Sequence, residues 1–285
     1  MRSFLKFMLA VLLIFPAANM LAQGGGTLEA PNHDPFDRVE NKQREVLAYP
    51  HVREADVMWD KIIWRRLDLR QKFNLPFYYP FQPKNGRKNF ITVVKDAIEQ
   101  GELTVYEYDL TDDYFTEPLS PEEALMTFVD STTRIDYDSM GNEIPIREPI
   151  PANPQDVYEL DVKEQWFFDK ERSVMDVRII GICPVWYKPA TDENPEPTRS
   201  PMFWIYYPDA RDMFINAPVY NPKNDAARLT YEDLFAKRMF DSYIYKESNV
   251  YDRQIYDYAI GMESLLEAER IKNDMREKEM NLWEY

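Results

Sequence analysis

Few residues in this chain are of a type that could carry out chemistry. Histidine occurs only at His33 and His51, and the single cysteine is Cys183. A Ser-His-Asp or Cys-His site needs a histidine held beside its nucleophile. Both histidines fall in or at the edge of an N-terminal stretch with little predicted structure. Zinc sites usually need paired cysteines or closely spaced histidines, which the chain lacks. We therefore predict no catalytic residues, no metal ligands and no cofactor.

One acidic stretch resembles the beginning of a calcium-binding loop. Asp136 and Asp138 precede Gly141 with suitable spacing, but Met140 and Arg147 occupy positions where calcium loops need an oxygen donor and a bidentate glutamate. The stretch is better interpreted as a turn. With 50 acidic residues in the chain, a glycosidase-type pair of carboxylates stays an open alternative, although no spacing indicates one.

Composition excludes several classes of protein. The formal net charge is −16, so the phosphates of nucleic acids and anionic lipid surfaces would repel the chain. Outside Gly24, Gly25 and Gly26 its glycines never cluster, which argues against a phosphate-binding loop. A single cysteine cannot form an intramolecular disulfide, so stability must come from burial of apolar side chains. Cys183 lies in an apolar, strand-like run and is predicted to be an inert core thiol.

The N-terminus predicts export. Residues 1–22 combine the basic Arg2 and Lys6 with a short apolar run over 7–15 and a small residue, Ala22, at the expected cleavage point. The run is too short to cross a bilayer, which takes about 20 apolar residues. We therefore expect residues 1–22 to be a signal peptide and residues 23–50 to form an extended arm.

The remaining chain predicts an α+β fold of small antiparallel β-sheets packed with amphipathic helices, together with the extended N-terminal arm and a charged C-terminal helix. Apolar residues at three- and four-residue spacing predict an amphipathic helix over 55–72. Asn89, Ser120 and Thr230 are suitable N-caps for three further helices. The other predicted elements are a strand at 103–108, an antiparallel hairpin made by 158–168 and 174–187, and a strand at 202–207.

Four prolines between 145 and 154 predict a boundary between an N-terminal lobe, 51–150, and a C-terminal lobe with an antiparallel sheet, 151–260. Residues 261–285 form the charged C-terminal helix. Trp59 and Trp166 are predicted to be core anchors, because each lies in a stretch rich in apolar and aromatic residues.

Two segments hold apolar residues without enough neighbours to bury them, so we predict that they contact partners. The arm offers Phe36 and Val39. The C-terminal helix offers a narrow seam, which consists of Ala268, Ile271, Met275 and Leu282. Exchanging Ile271 and Met275 for aspartate should then leave stability nearly intact. The alternative is a terminal helix that packs lightly on its own domain.

Three stretches together resemble the GldN/PorN family of the type IX secretion and gliding-motility machinery. They are ADVMWDKIIWRRLDLRQKFNLPFYYP (55–80), EQWFFDKERSVMDVRIIGICPV (164–185) and LTYEDLFAKRMFDSYIYKESNVYDRQI (229–255). The resemblance implies a periplasmic, non-enzymatic assembly role at the inner face of the outer membrane. The implied partners are a GldK/PorK-like outer-membrane lipoprotein, with which the chain would form a multi-copy ring, and the periplasmic part of a GldM/PorM-like inner-membrane motor.

Two alternatives remain at this point. An exported peptide- or glycan-binding module could use the aromatic residues of 77–79 or 203–207 as a platform. An exported hydrolase would require a cleft in which carboxylates converge.

Overall fold

A seven-stranded antiparallel sheet organises the fold. The computed structural model describes residues 44–109, 114–137, 143–190, 196–224 and 226–283, with the backbone alone for 131–137, 143–148 and 283. The sheet has the strand order β11-β1-β5-β6-β8-β2, and β7 also pairs with β6. Its strands are β1 (Val57–Asp68), β2 (Val105–Glu107), β5 (Val157–Asp169), β6 (Val174–Lys188), β7 (Thr198–Pro201), β8 (Phe203–Tyr206) and β11 (Tyr243–Glu247).

The described residues also form two smaller sheets, six α-helices and two short 3-10 helices, Glu54–Asp56 and Ile255–Asp257. β3 (Val129–Tyr137) pairs with β4 (Glu143–Pro151), and β9 (Pro218–Val219) pairs with β10 (Leu229–Thr230). The helices are α1 (Leu75–Tyr78), α2 (Phe90–Glu99), α3 (Pro121–Met126), α4 (Tyr207–Asn216), α5 (Tyr231–Ala236) and α6 (Met262–Trp283). The α+β class and its antiparallel sheets are as predicted.

The predicted helix over 55–72 is wrong, because this segment forms β1. The strand lies between β11 and β5, and separate hydrophobic clusters cover its two faces. Its apolar residues therefore do not alternate. Ile63 and Leu67 are buried on one face and Trp64 on the other. Large aromatic and β-branched residues favour a strand in such a place. Their spacing happened to match helical periodicity.

The predicted helix caps are confirmed. The Asn89 side chain accepts a hydrogen bond from the N–H of Thr92 at the start of α2. Ser120 and Thr230 each form a capping box with the acidic residue three positions later. The first of these two helices was predicted to end near Phe128 and ends at Met126, and the second was predicted to end near Asp241 and ends earlier, at Ala236.

The β5–β6 hairpin is also confirmed. Its polar turn begins at Asp169, whose carboxylate accepts hydrogen bonds from the N–H groups of Glu171 and Arg172 at 2.9 and 3.3 Å. The strand predicted at 202–207 is β8, which is shorter because the chain turns into α4 at Tyr207. The adjacent Pro208 suits the first turn of a helix.

Residues 145–154, which we expected to mark a boundary between two lobes, lie in β4 and the turn that leads to β5. Strand β1, from the proposed first lobe, pairs with β5 and β11 of the proposed second lobe. Residues on both sides of the boundary also share the largest hydrophobic cluster, as Phe90 and Phe235 do. The described residues accordingly belong to one compact unit, Lys42–Tyr285.

Three hydrophobic clusters cover the sheet. The largest packs α2, α4 and α5 against β5, β6 and β8. A second joins β1, β11 and α6, and Trp59 and Trp166 pack against it as partly buried side chains. The third contains Trp64, Cys183 and Trp204. The two predicted tryptophan anchors therefore lie at the margin of a cluster.

Candidate partner-binding surface

The apolar seam predicted for the C-terminal helix is covered by the chain itself. Ala268, Ile271 and Met275 on α6 are 8%, 2% and 7% exposed. They pack with Ile63 of β1 and Ile244 of β11 in the second cluster. Their aspartate variants should therefore be destabilised, contrary to the expectation from the sequence, because a buried charge without a partner is costly.

The other predicted partner contacts have different positions. Leu282 is half-buried near the end of α6. Phe36 and Val39 lie outside the described residues.

A different apolar surface is exposed immediately before and within the first turns of α6. We call it the 250–266 surface. Its members are Val250, Tyr251, Tyr256, Tyr258, Ile260, Met262, Leu265 and Leu266, each at least 40% exposed. Val250 and Ile260 reach 97% and 83%. Single exposed apolar residues are ordinary, but a concentration of them in one segment is typical of an interaction site.

Local hydrogen bonds give the backbone of this surface a defined shape. The Asn249 side chain donates to the carbonyls of Glu247 and Arg253 at 2.8 and 2.9 Å, and accepts from the N–H groups of Tyr251 and Arg253 at 3.1 and 3.2 Å. The guanidinium of Arg253 lies 4.9 and 4.6 Å from the ring centroids of Tyr251 and Tyr258. A shaped surface loses less conformational entropy on binding than a loose loop.

Gly261 connects this loop to α6. Its φ of +63° lies in the left-handed region, which glycine enters without steric cost. The hydroxyl of Ser264 donates to the Gly261 carbonyl at 2.7 Å. The turn therefore places Ile260 and Met262 on the outside of the helix start.

A cavity of about 430 Å³ adjoins the same surface. Its lining residues are Arg66, Tyr108, Arg199, Pro201, Gln254 and Tyr256. The last two belong to the 250–266 segment, and the others come from β1, β7 and the chain after β2. The cavity has the volume of a small-ligand site, and it could equally take a side chain of a partner.

Buried carboxylates balance the two arginines of the cavity. The Nε of Arg66 donates to Asp161 at 2.9 Å, and that of Arg199 donates to Glu159 at 3.3 Å; Arg199 also bonds Asp161. Burial opposes the charge of Arg66, but the hydrogen-bonded Asp161 carboxylate, together with Tyr243 and Glu159, outweighs it and raises the pKa of the guanidinium. The two arginines of the cavity are thus paired with carboxylates of the same chain, which favours a structural role over the capture of a free anion.

A second ion-pair network lies inside the sheet. The Glu164 carboxylate is 0% exposed and accepts from the Nε of Arg65 at 2.9 Å and from the indole N–H of Trp166 at 3.0 Å. The Nη1 of Arg238 lies 2.9 Å from the same carboxylate. Burial lowers the pKa of Arg65, and the Glu164 charge opposes that effect. The network joins β1 and β5 to the segment after α5.

Arginines also hold the described end of the N-terminal arm, 44–50, on the folded chain. Arg211 of α4 donates to the carbonyl of Leu47 at 2.9 Å and to Glu232 at 2.8 Å. Its guanidinium lies 4.0 Å from the ring centroid of Tyr49. Arg178 donates to the carbonyl of Pro50 at 2.6 Å. These contacts fix the arm where it approaches α4 and β6.

The described residues contain no group of three or more histidine, cysteine or acidic side chains that could hold a metal ion. His51 is exposed. Cys183 is wholly buried, and burial raises the pKa of its thiol well above the ordinary value, so the thiol has little of the thiolate that reacts. The predicted core thiol is confirmed by this burial.

The aromatic platforms are mostly part of the core. Phe77, Phe203 and Tyr207 are 1% exposed or less, and Trp204 is 3% exposed. Tyr79 remains 47% exposed, but its ring packs edge-on against Tyr78, with centroids 5.2 Å apart. A binding module that uses these stretches as an open strip therefore has no support.

The comparison with protein families decides the assignment. The model of the family described as gliding motility associated protein GldN matches residues 52–284. The chain belongs to the GldN family. Comparison with curated proteins gives no match. The family match confirms the resemblance found in the sequence. Proteins of the GldN family are components of the gliding-motility and type IX secretion machinery, and the family is not known as an enzyme family. Over the described ranges, no helix is both long enough and apolar enough to cross a membrane.

Sequence reasoning missed the 250–266 surface and the cavity beside it. The segment does carry a signal, since nine large apolar or aromatic residues occur from Val250 to Leu266 without a helical or alternating period. Apolar residues without a period have no obvious face to bury. The cavity has no such signal, because its arginines and tyrosines come from segments that only the sheet brings together.

Proposed function

We propose that this chain is a non-enzymatic periplasmic assembly component of the type IX secretion and gliding-motility apparatus. It forms a multi-copy ring with a GldK/PorK-like outer-membrane lipoprotein and contacts the periplasmic part of a GldM/PorM-like motor. The observation that carries the proposal is the exposed 250–266 surface on a chain of the GldN family.

The periplasmic location rests on the signal-peptide pattern of residues 1–22. A partner provides the attachment to the inner face of the outer membrane. Lipid attachment through the only cysteine is opposed by the burial of Cys183 within the sheet.

The physical argument for assembly is the contrast between two kinds of surface. The ion pairs of the described chain are largely satisfied internally, as at Glu164 and Asp161. The 250–266 surface is instead apolar, aromatic and solvent-exposed. Removal of such side chains from water contributes about 25 cal/mol per Å² of apolar area, and aromatic side chains are prominent among the residues that dominate interface energies.

An affinity-tagged copy of the chain, purified from detergent-solubilised envelope, tests the proposal. Mass spectrometry should identify the outer-membrane lipoprotein and the motor protein among the co-purifying proteins. In cells that lack the lipoprotein, the tagged chain should move from the envelope fraction to the soluble periplasmic fraction. Recovery of the chain without either protein, in cells that contain both, would contradict the proposal.

A further inference from the structure

The β3–β4 ribbon has two edges of different character. Among the described residues, β3 and β4 pair only with each other and form a separate two-stranded sheet. Their pairing runs from Val129 opposite Pro151 to Tyr137 opposite Glu143. A two-stranded ribbon is marginally stable in water by itself, so a third strand along either edge would stabilise it.

The positions of the prolines in β4 show which of its backbone groups point toward β3 and which point to the outer edge. Pro145, Pro149 and Pro151 are separated by even numbers of residues, and each lies opposite a residue of β3. A proline lacks an N–H and cannot occupy a hydrogen-bonded pair, so these positions are the non-hydrogen-bonded pairs of the ladder. The backbone groups of such residues point away from β3. Three N–H donors are therefore missing from the outer edge of β4.

The outer edge of β3 is complete. The residues opposite Pro151, Pro149 and Pro145 are Val129, Ser131 and Ile135, and Thr133 and Tyr137 share their parity. The backbone groups of these five residues point outward because they occupy non-hydrogen-bonded pairs. None of the five is proline, so each offers both an N–H and a C=O at this edge. An incoming strand can form a regular ladder on β3 but not on β4.

We propose that the open edge of β3 pairs antiparallel with the β3 edge of a second copy of this chain. The result is a four-stranded sheet with the order β4-β3-β3-β4 across a two-fold axis. The prolines of β4 then form both outer edges, so the sheet cannot grow beyond two copies. Such a contact is self-complementary, as two-fold contacts require.

The charge pattern of β3 selects a register. A two-fold axis at Thr132 places Asp130 of each copy opposite Arg134 of the other, and Val129 opposite Ile135. An axis at Thr133 would instead place Asp130 opposite Asp136, and an axis at Arg134 would place that arginine opposite itself. Opposite charges in cross-strand positions stabilise a sheet and like charges destabilise it. Lys188 lies 3.1 Å from Asp130 within the chain, so the ion pair would extend to this lysine.

This pairing goes beyond the proposed function, because it specifies a direct strand-to-strand contact between two copies of the chain that needs neither the lipoprotein nor the motor. It also uses a part of the molecule different from the 250–266 surface. Loss of the pairing and loss of partner binding are therefore separate results.

Sedimentation of the purified, exported full-length protein tests the pairing with two proline variants. Thr133→Pro removes an outward N–H from the open edge and keeps the bonds within the ribbon. Arg147→Pro is its matched control, since Arg147 is paired with Thr133. Its backbone N–H points to the outer edge of β4, where three donors are already missing. Wild type and Arg147→Pro should sediment as dimers, and Thr133→Pro as a monomer.

A charge exchange gives a second readout that does not depend on proline. Asp130→Lys and Arg134→Glu should each lose the dimer, because each places like charges opposite one another. An equimolar mixture of these two variants restores opposite charges at both positions and should sediment as a dimer. A monomeric wild type, an equal effect of Thr133→Pro and Arg147→Pro, or a mixture that stays monomeric would overturn the proposal.

Discussion

At the scale of single residues, Glu164 is a buried charge that depends on its ion-pair partners. Its carboxylate is fully buried and interacts with Arg65, Arg238 and Trp166. Two guanidiniums share this one carboxylate, which is the acidic group that links them. Its removal would leave both arginines without their central partner.

We predict that Glu164→Gln lowers the free energy of unfolding by about 3 kcal/mol or more, since breaking a buried ion pair leaves an uncompensated charge. Denaturant unfolding measures the change. The control is Glu171→Gln, because that side chain is 67% exposed and lies 3.5 Å from an exposed Arg53. Its effect should stay within about 0.5 kcal/mol. Equal effects of the two variants would contradict this account of the cluster.

Buried tyrosines provide a second residue-scale prediction, in the alkaline range. Burial raises the pKa values of Tyr207, Tyr231 and Tyr245 above the ordinary value, with further increases from Glu232 at Tyr207 and from Asp161 at Tyr245. Above about pH 10 the unfolded chain releases these protons while the folded chain keeps them. The unfolded state then binds fewer protons, so stability falls as the pH rises.

Denaturant unfolding at a series of pH values from about 8 to 11 measures this decline. Tyr231→Phe should make it shallower, because one buried titrating group is removed. Tyr256→Phe is the control, since Tyr256 is 64% exposed, and it should keep the wild-type slope. A free energy of unfolding that stays constant over this range would show that these tyrosines do not control the alkaline stability.

At the scale of elements, α6 combines two faces with different roles. Its inner face packs on β1 and β11 through Ile271 and Met275, and its first turns expose Leu265 and Leu266. We predict that Ile271→Ala lowers the free energy of unfolding by about 2–5 kcal/mol, as expected for a buried aliphatic side chain. Leu265→Ala is the matched control on the same helix and should change stability by less than about 0.5 kcal/mol. Thermal melting of both variants distinguishes a docked helix from a solvated one.

The elements also show what the sequence could predict. Local signals were sufficient for α2, α3 and α5, because a cap and its bonding partner lie within three residues of each other. The β5–β6 hairpin was predictable for the same reason. The strand β1 was not, since its pairing partners β5 and β11 are distant in sequence, as are the residues that cover its two faces.

Similar reasoning applies to the candidate surface. The sequence identified the apolar residues of the C-terminal helix but not what covers them. Ile63 and Ile244 bury the seam of Ile271 and Met275, and neither lies near α6 in the chain. The residues that remain exposed could be found only after the buried ones were assigned.

At the scale of the whole molecule, the chain is a sheet scaffold with internally satisfied charges and an exposed apolar segment. No described cluster provides a metal site, and its cysteine is buried. These features agree with the assembly role proposed for this GldN-family chain, with the 250–266 surface as its partner contact.

The most direct test of this claim is the recovery of the lipoprotein from solubilised envelope by tagged variants of the chain. Ile260→Asp and Leu266→Asp replace residues that are 83% and 64% exposed, and Met126→Asp replaces a control residue that is 70% exposed on α3. All three should melt like the wild type. We predict that the first two reduce recovery by about tenfold or more, which corresponds to about 1.4 kcal/mol, while Met126→Asp recovers the lipoprotein fully. Wild-type recovery with both Ile260→Asp and Leu266→Asp would contradict the account.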